Sequence, residues 1–293
     1  ISLPKGVAGL KSEREVLLTV RFYLSFDTTW AQSGHEVAWA QFTLSEATRT
    51  PSPLQDVSLS NPSFSLLTTS VGTTLKVNGP NWEFEFDKIR GYLKAWKYSG
   101  LSLLEQDPLT KGAIIPSIWR PPTNNDVPSA VPEWERYGVE VMASQKRSFV
   151  FQSDKSGVVV EAETYLSPAV LDWGLICRTV YKISPSGFLE IRLNLVPRGY
   201  SPPNVPRIGL DLRMNRALDG VRWLGLGPGE SYPDKRSSQK RGIWSSTSVS
   251  DLQVPYDLPQ ENSNRMETHW LTLSNAHGLG IRATSIQGGE RDD

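Results

Sequence analysis

The clearest hydrophobic pattern in the chain is an alternation of aromatic and acidic residues near position 84. Trp82, Phe84 and Phe86 alternate with three acidic residues. A period of two places successive side chains on opposite faces of a β-strand, so the three rings share one face. The turn that follows and the apolar residues at 92–98 predict the second strand of a hairpin. This segment therefore predicts an antiparallel sheet with one buried face.

Strand-like runs recur on both sides of this hairpin. A second hairpin is predicted by 175–183 and 188–196, which flank the turn sequence SPSG. Further apolar runs predict strands at 16–24, 36–44, 158–164, 205–214, 221–226, 268–274 and 279–283. The one predicted helix begins at Pro132, has acidic residues in its first turn and ends at Gly138. The fold class is therefore all-β, with mainly antiparallel sheets.

The strands divide unevenly along the chain. Residues 1–46 hold only two of them, and because a lone hairpin is marginally stable, we expect this part to be the end of a larger sandwich. Residues 47–66 are rich in Ser, Thr and Pro and are predicted to be a linker. Residues 67–293 hold the remaining strands and are predicted to form one large antiparallel sandwich.

Charge and composition exclude several classes of function. Lys plus Arg and Asp plus Glu number 31 each, and basic residues nowhere form a run. Neither nucleic acid nor a membrane surface is therefore expected as a partner. No apolar stretch is long enough to span a bilayer and no signal peptide is recognised, so we expect a soluble, cytoplasmic protein. The single cysteine, Cys177, cannot form an internal disulfide.

The motifs of several common chemistries are missing. The glycines of LGLGPGE at 224–230 lack the G-x-G-x-x-G spacing and precede no predicted helix, so they indicate a turn and not a phosphate loop. His35, His269, His277 and Cys177 have no spacing typical of metal ligands, so no metal or cofactor is expected in this chain. The nucleophile motif G-x-S-x-G is also absent.

Three polar segments are the candidates for a functional site. The first is the loop 119–126, with Arg120, Asn124, Asn125 and Asp126 as its candidate residues. The second and third, at 227–235 and 259–265, contribute Glu230, Tyr232, Asp234, Gln260, Glu261, Asn262, Asn264 and Arg265. Carboxylates, amides and Arg beside aromatic rings suit a polyhydroxylated sugar. The alternative is structural, since the same groups cap turns and satisfy buried backbone.

These segments carry a resemblance to a known family. The stretches that carry it are GHEVAWAQFTL at 34–44, NWEFEFDKIRGYLKAW at 81–96, IWRPPTNNDV at 118–127, PRIGLDLRM at 206–214, VRWLGLGPGESYPDK at 221–235 and PYDLPQENSNRMETHWLTLSN at 255–275. With these strings the chain resembles the C-terminal part of the large, lacZ-type β-galactosidases of glycoside hydrolase family 2. The similarity covers most of the chain.

The resemblance implies an architecture and a division of labour. Residues 1–46 look like the end of an immunoglobulin-like sandwich, and 67–293 look like the small-chain domain, an antiparallel super-sandwich resembling galactose mutarotase. In this family the two catalytic glutamates, with Mg and Na, lie in a preceding barrel, and hydrolysis of the β-galactoside proceeds with retention. No part of that barrel is matched here, so this segment is expected to be inactive alone. The implied partners are that barrel, the sugar and, since family enzymes form homo-oligomers, further copies.

The resemblance also assigns a role to the first polar loop. By similarity, the loop with Arg120 and Asn124–Asn125–Asp126 points toward the rim of the sugar site. It looks shorter than in family members and contains Pro128, so gating by this loop is not expected. The family domain continues for several strands and carries a further Trp, whereas no Trp follows Trp270 here. We therefore expect either that the small-chain domain is truncated at its C-terminus, as in a fragment of a longer protein, or that its super-sandwich is incomplete.

Two other functions remain open from the sequence. One is a free-standing carbohydrate-binding or scaffold module that uses the segments around Glu230 and Glu261. The other is mutarotation, which needs a His acid and a carboxylate base at one sugar ring. His269 and His277 are the histidines available for it in residues 67–293.

Overall fold

The computed structural model describes residues 15–45 and 66–286. The predicted linker at 47–66 and the last seven residues therefore lie, apart from Leu66, outside the described residues. The strands are β1 Val16–Tyr23, β2 Glu36–Ser45, β3 Leu67–Val71, β4 Thr74–Asn78, β5 Trp82–Asp87, β6 Tyr92–Tyr98, β7 Leu101–Ser102, β8 Ile114–Ser117, β9 Ala143–Asp154, β10 Gly157–Ser167, β11 Trp173–Ile183, β12 Leu189–Gly199, β13 Gly209–Leu212, β14 Gly220–Gly227, β15 Lys240–Ser246, β16 Trp270–Ser274 and β17 Gly280–Thr284.

The strands form several antiparallel sheets, as the sequence predicts. One sheet has the order β3-β4-β5-β6-β7, a second β12-β11-β10-β9 and a third β15-β14-β16-β17, while β1-β2 and β8-β13 form two-stranded sheets. Helical structure in the described residues is limited to the α-helix α1, Val131–Arg136, and short 3₁₀ turns at Val139–Val141, Arg236–Ser238 and Val249–Leu252. The all-β fold class is confirmed. No helix in the described ranges has the length and apolar character needed to cross a bilayer.

The main core lies between the first two of these sheets. Trp82, Phe84 and Phe86 of β5 are buried on one face, as the alternation predicts. They meet buried residues of β10 and β11, and the ring of Phe86 contacts the edge of Tyr181 at 5.2 Å between centroids. Each fully buried aromatic side chain contributes roughly 1.5–3 kcal/mol through the hydrophobic effect. The two sheets therefore form a sandwich around a shared apolar core.

A second, smaller core holds the short helix beside the first polar loop. Trp134 of α1 packs with Ile118 and Trp173, and the Trp173 indole N–H donates to the carbonyl of Tyr137 at 2.8 Å. The helix begins one residue before the predicted Pro132, and Gly138 follows it with a left-handed φ of 63°. This anchor fixes both ends of the segment between β8 and α1.

The β1–β2 hairpin docks on the edge of the third sheet at β15. The Gln41 side-chain amide donates to the carbonyl of Arg241 at 2.9 Å and accepts from its N–H at 2.8 Å. Lys240 pairs with Glu36 and lies over the Trp39 ring at 5.3 Å. A side-chain amide that satisfies both backbone groups of an edge residue substitutes for a missing strand neighbour. The hairpin is thus joined to the sheet by polar contacts.

The strand predictions differ from the structure at 205–214 and at strands that were not predicted, which include β3, β4, β8, β9 and β15. Of the run 205–214, only β13, Gly209–Leu212, is a strand, because prolines occupy the preceding segment and Ile208 is exposed. The 12-residue β9, Ala143–Asp154, was not predicted, since it is an exposed edge strand with mixed polar residues and no regular alternation.

Candidate functional site

Asp126 organises the first polar loop, between β8 and α1. Its carboxylate accepts hydrogen bonds from Arg120 Nη1 at 2.6 Å and Nη2 at 3.2 Å, and from the Thr123 N–H at 2.7 Å and hydroxyl at 2.8 Å. Arg120 and Asp126 are both largely buried, with side chains 16% and 15% exposed. The bond from Arg120, together with those from Thr123, outweighs burial and lowers the pKa of Asp126 from 3.8 to about 2. The loop is therefore held by an ionised, fully engaged carboxylate.

The first loop is also fastened to the third polar segment. The Asn124 N–H donates to the carbonyl of Pro259 at 2.9 Å. Arg120 Nε lies 3.4 Å from a Glu261 carboxylate oxygen, too poorly aligned for a hydrogen bond, and Glu261 is 47% exposed. The side chains of Asn124 and Asn125 face solvent. Two segments that lie more than 130 residues apart in sequence thus meet at one surface.

Glu230 joins the second polar segment to the third. It is buried, pairs with Lys235, accepts from the Tyr256 hydroxyl, and accepts from the Ser263 N–H at 2.9 Å. Burial alone would raise the pKa of Glu230, but the hydrogen bonds from Lys235, Tyr256 and Ser263 together lower it. Hydrogen bonds to Glu230 and Tyr256 raise the pKa of Lys235 in turn. Glu230 therefore links the second polar segment to the third through its hydrogen bonds and its ion pair.

Ser231 and Asn264 add further hydrogen bonds between the second and third polar segments. The Ser231 N–H donates to the carbonyl of Asn264 at 2.9 Å, and the Asn264 side-chain amide donates to the carbonyl of Ser231 at 2.8 Å. The Asn264 N–H donates to the Tyr232 hydroxyl at 3.3 Å. Burial raises the pKa of Tyr232, and the carboxylate of Glu261 adds to the effect.

Arg265 lies under this loop cluster. Its guanidinium stacks on the ring of Trp223 at 5.2 Å, and Nη1 donates to the carbonyl of Asn264 at 3.2 Å. Burial lowers the pKa of Arg265. Its Nε is buried without a hydrogen-bond partner among the described residues. Packing against Trp223 accounts for its position.

The remaining predicted residues lie at the edge of the surface that the three polar segments form. Asp234 and Gln260 are exposed, and the Asn262 side chain accepts from the Ser263 hydroxyl at 2.8 Å. The sequence-based search missed Tyr256 and Ser263, which complete the surroundings of Glu230. The one signal for them was their position in the string 255–275 that carries the family resemblance. We call the surface formed by the three segments the loop face.

The two histidines available for mutarotation, of which one would act with a carboxylate, lie at opposite ends of β16. His269 precedes β16 and His277 lies in the turn after it. Because a five-residue strand separates them, they are roughly 15 Å or more apart along the sheet. His269 Nε2 accepts from Arg241 Nη2 at 2.6 Å.

Within residues 15–45 and 66–286, no three His, Cys, Asp or Glu side chains lie close enough to hold a metal ion.

Comparisons with known proteins identify the family of this chain. Residues 78–290 match the family model described as β-galactosidase small chain, and residues 1–45 match β-galactosidase, domain 4. The chain is 30% identical over 277 residues to a β-galactosidase of Kluyveromyces lactis, covering 91% of this chain and 26% of the relative. It is 30% identical over 271 residues to one of Priestia megaterium, covering 91% of this chain and 24% of the relative.

A third relative shows the same proportions. The chain is 28% identical over 291 residues to β-galactosidase 2 of Enterobacter cloacae, covering 95% of this chain and 26% of that protein. The chain thus spans about a quarter of the length of the curated relatives it matches. Because the small-chain model covers well over half of its residues, the chain belongs to the β-galactosidase small-chain family.

Proposed function

We propose that this chain is the non-catalytic C-terminal region of an enzyme that hydrolyses terminal β-galactosides with retention. It packs on the catalytic barrel and supplies the loop 120–126 beside the sugar. The relatives support this proposal, since each is a β-galactosidase about four times longer than the matched segment. The chain contributes shape and hydrogen-bonding groups, while the bond-breaking carboxyls lie elsewhere in the enzyme.

The observation that carries the proposal is the rigid mounting of the first loop. Asp126 anchors it through Arg120 and Thr123, and Asn124 fastens it to the third segment through its backbone. The side chains of Asn124 and Asn125 are left exposed. A loop that positions a substrate must hold its polar groups in place before the substrate arrives. This arrangement meets that need without itself containing a catalytic pair.

The chemistry of the loop face fits a supporting role. Glu230 is engaged by three donors, so it has no capacity for proton transfer to a sugar. Glu261 and the two asparagines can exchange hydrogen bonds with hydroxyl groups. The Mg²⁺ and Na⁺ that the family resemblance implies belong, in this proposal, to the barrel, and no step here passes through them.

A chimeric enzyme tests this function. Residues 1–293 replace the matching quarter of the Kluyveromyces lactis relative, and hydrolysis of o-nitrophenyl β-galactoside is measured for the chimera and for the isolated chain. We expect activity in the chimera and none in the chain alone. Asn125→Ala in the chimera should raise KM roughly 3- to 10-fold, as expected for one or two lost hydrogen bonds.

Two results would contradict the proposal. The first is hydrolysis by the isolated chain that persists through repeated purification. The second is a chimera that has no activity although it folds, as shown by a cooperative unfolding transition like that of the Kluyveromyces lactis relative. Glu161→Gln, an exposed substitution on β10 outside the three segments of the loop face, is the control and should leave KM unchanged.

A further inference from the structure

A groove crosses the outer face of the second sheet, away from the core. Gln152, Val159, Lys182 and Glu190 form one row of direct cross-strand partners, with one residue from each of β9, β10, β11 and β12. All four line a cavity of about 200 Å³. Neighbouring strands are about 4.8 Å apart, so the row is roughly 14 Å long. We call this cavity the outer groove.

Glu190 is unusual for a residue on the outside of a sheet. Its neighbours Leu189 and Ile191 pack on the core, so the Glu190 side chain points outward, and yet the residue is only 4% exposed. Oε1 accepts from Arg192 Nε at 2.5 Å, while Oε2 has no hydrogen bond from the described residues. A carboxylate oxygen without a protein donor can accept a further hydrogen bond from a ligand that reaches it. The outer groove is where such a donor can enter.

The other groups in the groove define the chemistry of that donor. Lys182 is the cross-strand partner of Glu190 and also lines the groove, so its ammonium supplies hydrogen-bond donors there. The Gln152 amide, farther along, both donates and accepts. Phe188 lies two residues before Glu190, on the same side of the strand, and lines the groove with an apolar ring.

Charge excludes ionic ligands. Two cations, Lys182 and the Arg192 that pairs with Glu190, offset the two carboxylates, Glu190 and Asp154. Asp154 Oδ1 is also occupied by the N–H groups of Ser156 and Gly157 in its own turn. A phosphate or carboxylate would face two acidic side chains. A metal cation would meet the Lys182 ammonium and too few oxygen ligands, since Ca²⁺ takes about 6–8. A neutral ligand with adjacent hydroxyls and an apolar face remains.

We propose that the outer groove binds a neutral sugar. One hydroxyl donates to Glu190, a neighbouring hydroxyl accepts from Lys182, and the C–H face of the ring packs on Phe188. The groove lies between the turns 154–157 and 184–188, on a different sheet from the segments of the loop face. The proposal does not depend on the function proposed above.

Binding of methyl β-galactoside to the whole 293-residue chain tests the proposal. Calorimetry and saturation-transfer NMR should show a Kd of roughly 1–10 mM, as expected for a few exposed hydrogen bonds. Lys182→Met and Glu190→Gln should each weaken binding about 10-fold, the effect of losing one hydrogen bond to a charged group. Lys182 is exposed, so its substitution should keep the fold even if that of Glu190 does not.

Matched variants separate this site from the loop face. Glu161→Gln removes an exposed carboxylate from the next row of the same sheet and should leave binding unchanged. The proposal is overturned by a flat titration, by binding that Lys182→Met does not alter, or by binding that Asn125→Ala abolishes. Competition by sodium phosphate or CaCl₂ would overturn the assignment to a neutral ligand. None of these results bears on the hydrolysis assay of the chimera.

Discussion

Replacement of Asp126 by Asn removes the charge that holds the first loop. The pKa of Asp126 is about 2 in the folded chain and 3.8 in an unperturbed carboxyl. One pH unit of difference corresponds to ~1.4 kcal/mol, so ionised Asp126 stabilises the fold by about 2 kcal/mol at neutral pH. Its side chain is only 15% exposed, so solvent screening reduces this value little. Asp126→Asn should therefore lower the free energy of unfolding by about 2 kcal/mol.

The effect has a defined pH dependence. Folding lowers the pKa of Asp126, so its stabilisation is complete above 3.8 and is lost as the pH falls from there through about 2. The difference in unfolding free energy between the two proteins should shrink to about half near pH 3. Urea unfolding followed by tryptophan fluorescence measures this difference, and the urea slope should be the same for both proteins.

Two outcomes would refute this reasoning. One is equal urea midpoints for the original chain and Asp126→Asn at neutral pH. The other is a difference that does not shrink in acid, because then the loss comes from shape and not from charge. Asp234→Asn, on the neighbouring exposed loop, should leave the midpoint unchanged at both pH values.

Three further predictions concern the fold. Gly187→Ala should destabilise by about 2–4 kcal/mol in urea unfolding, because Gly187 has φ of 83° and a Cβ there would lie 2.5 Å from the Trp82 ring. Gln41→Ala should speed amide exchange in the β1–β2 hairpin about 10-fold, since it removes both bonds to the Arg241 backbone. Burial raises the pKa of the Cys177 thiol to about 11, so its reaction with a thiol reagent at mildly alkaline pH should be at least ~100-fold slower than in the unfolded chain.

Each of these predictions has an internal control. Gly72 also has a positive φ, of 53°, but open space around it, so Gly72→Ala should cost only about 1 kcal/mol. Equal losses at Gly72 and Gly187 would remove the clash with Trp82 as the cause. Thr43→Ala, on the same face of β2 as Gln41 and exposed, should leave exchange unchanged. A native Cys177 that reacts as fast as in urea would contradict its burial.

Local pattern was sufficient for much of the fold. The alternation at Trp82, Phe84 and Phe86 predicted a buried face, because a period of two alone decides which side chains share it. The turn before Gly187 predicted the β11–β12 hairpin in the same way. β9 was missed because it is an exposed edge strand in which Phe149 packs on the core but no regular alternation marks a buried face.

The candidate site shows where local pattern ends. The sequence by itself identified three polar segments, because the residue types that suit a sugar are visible one position at a time. Only the tertiary structure decided that Asn124 meets Pro259, that Glu230 is occupied by Lys235 and Tyr256, and that His269 and His277 lie apart. These relations depend on how sheets distant in sequence pack, and no local period encodes that packing. The sequence was sufficient to predict which residue types could contact a sugar. The role of each side chain depended on its neighbours in the folded chain.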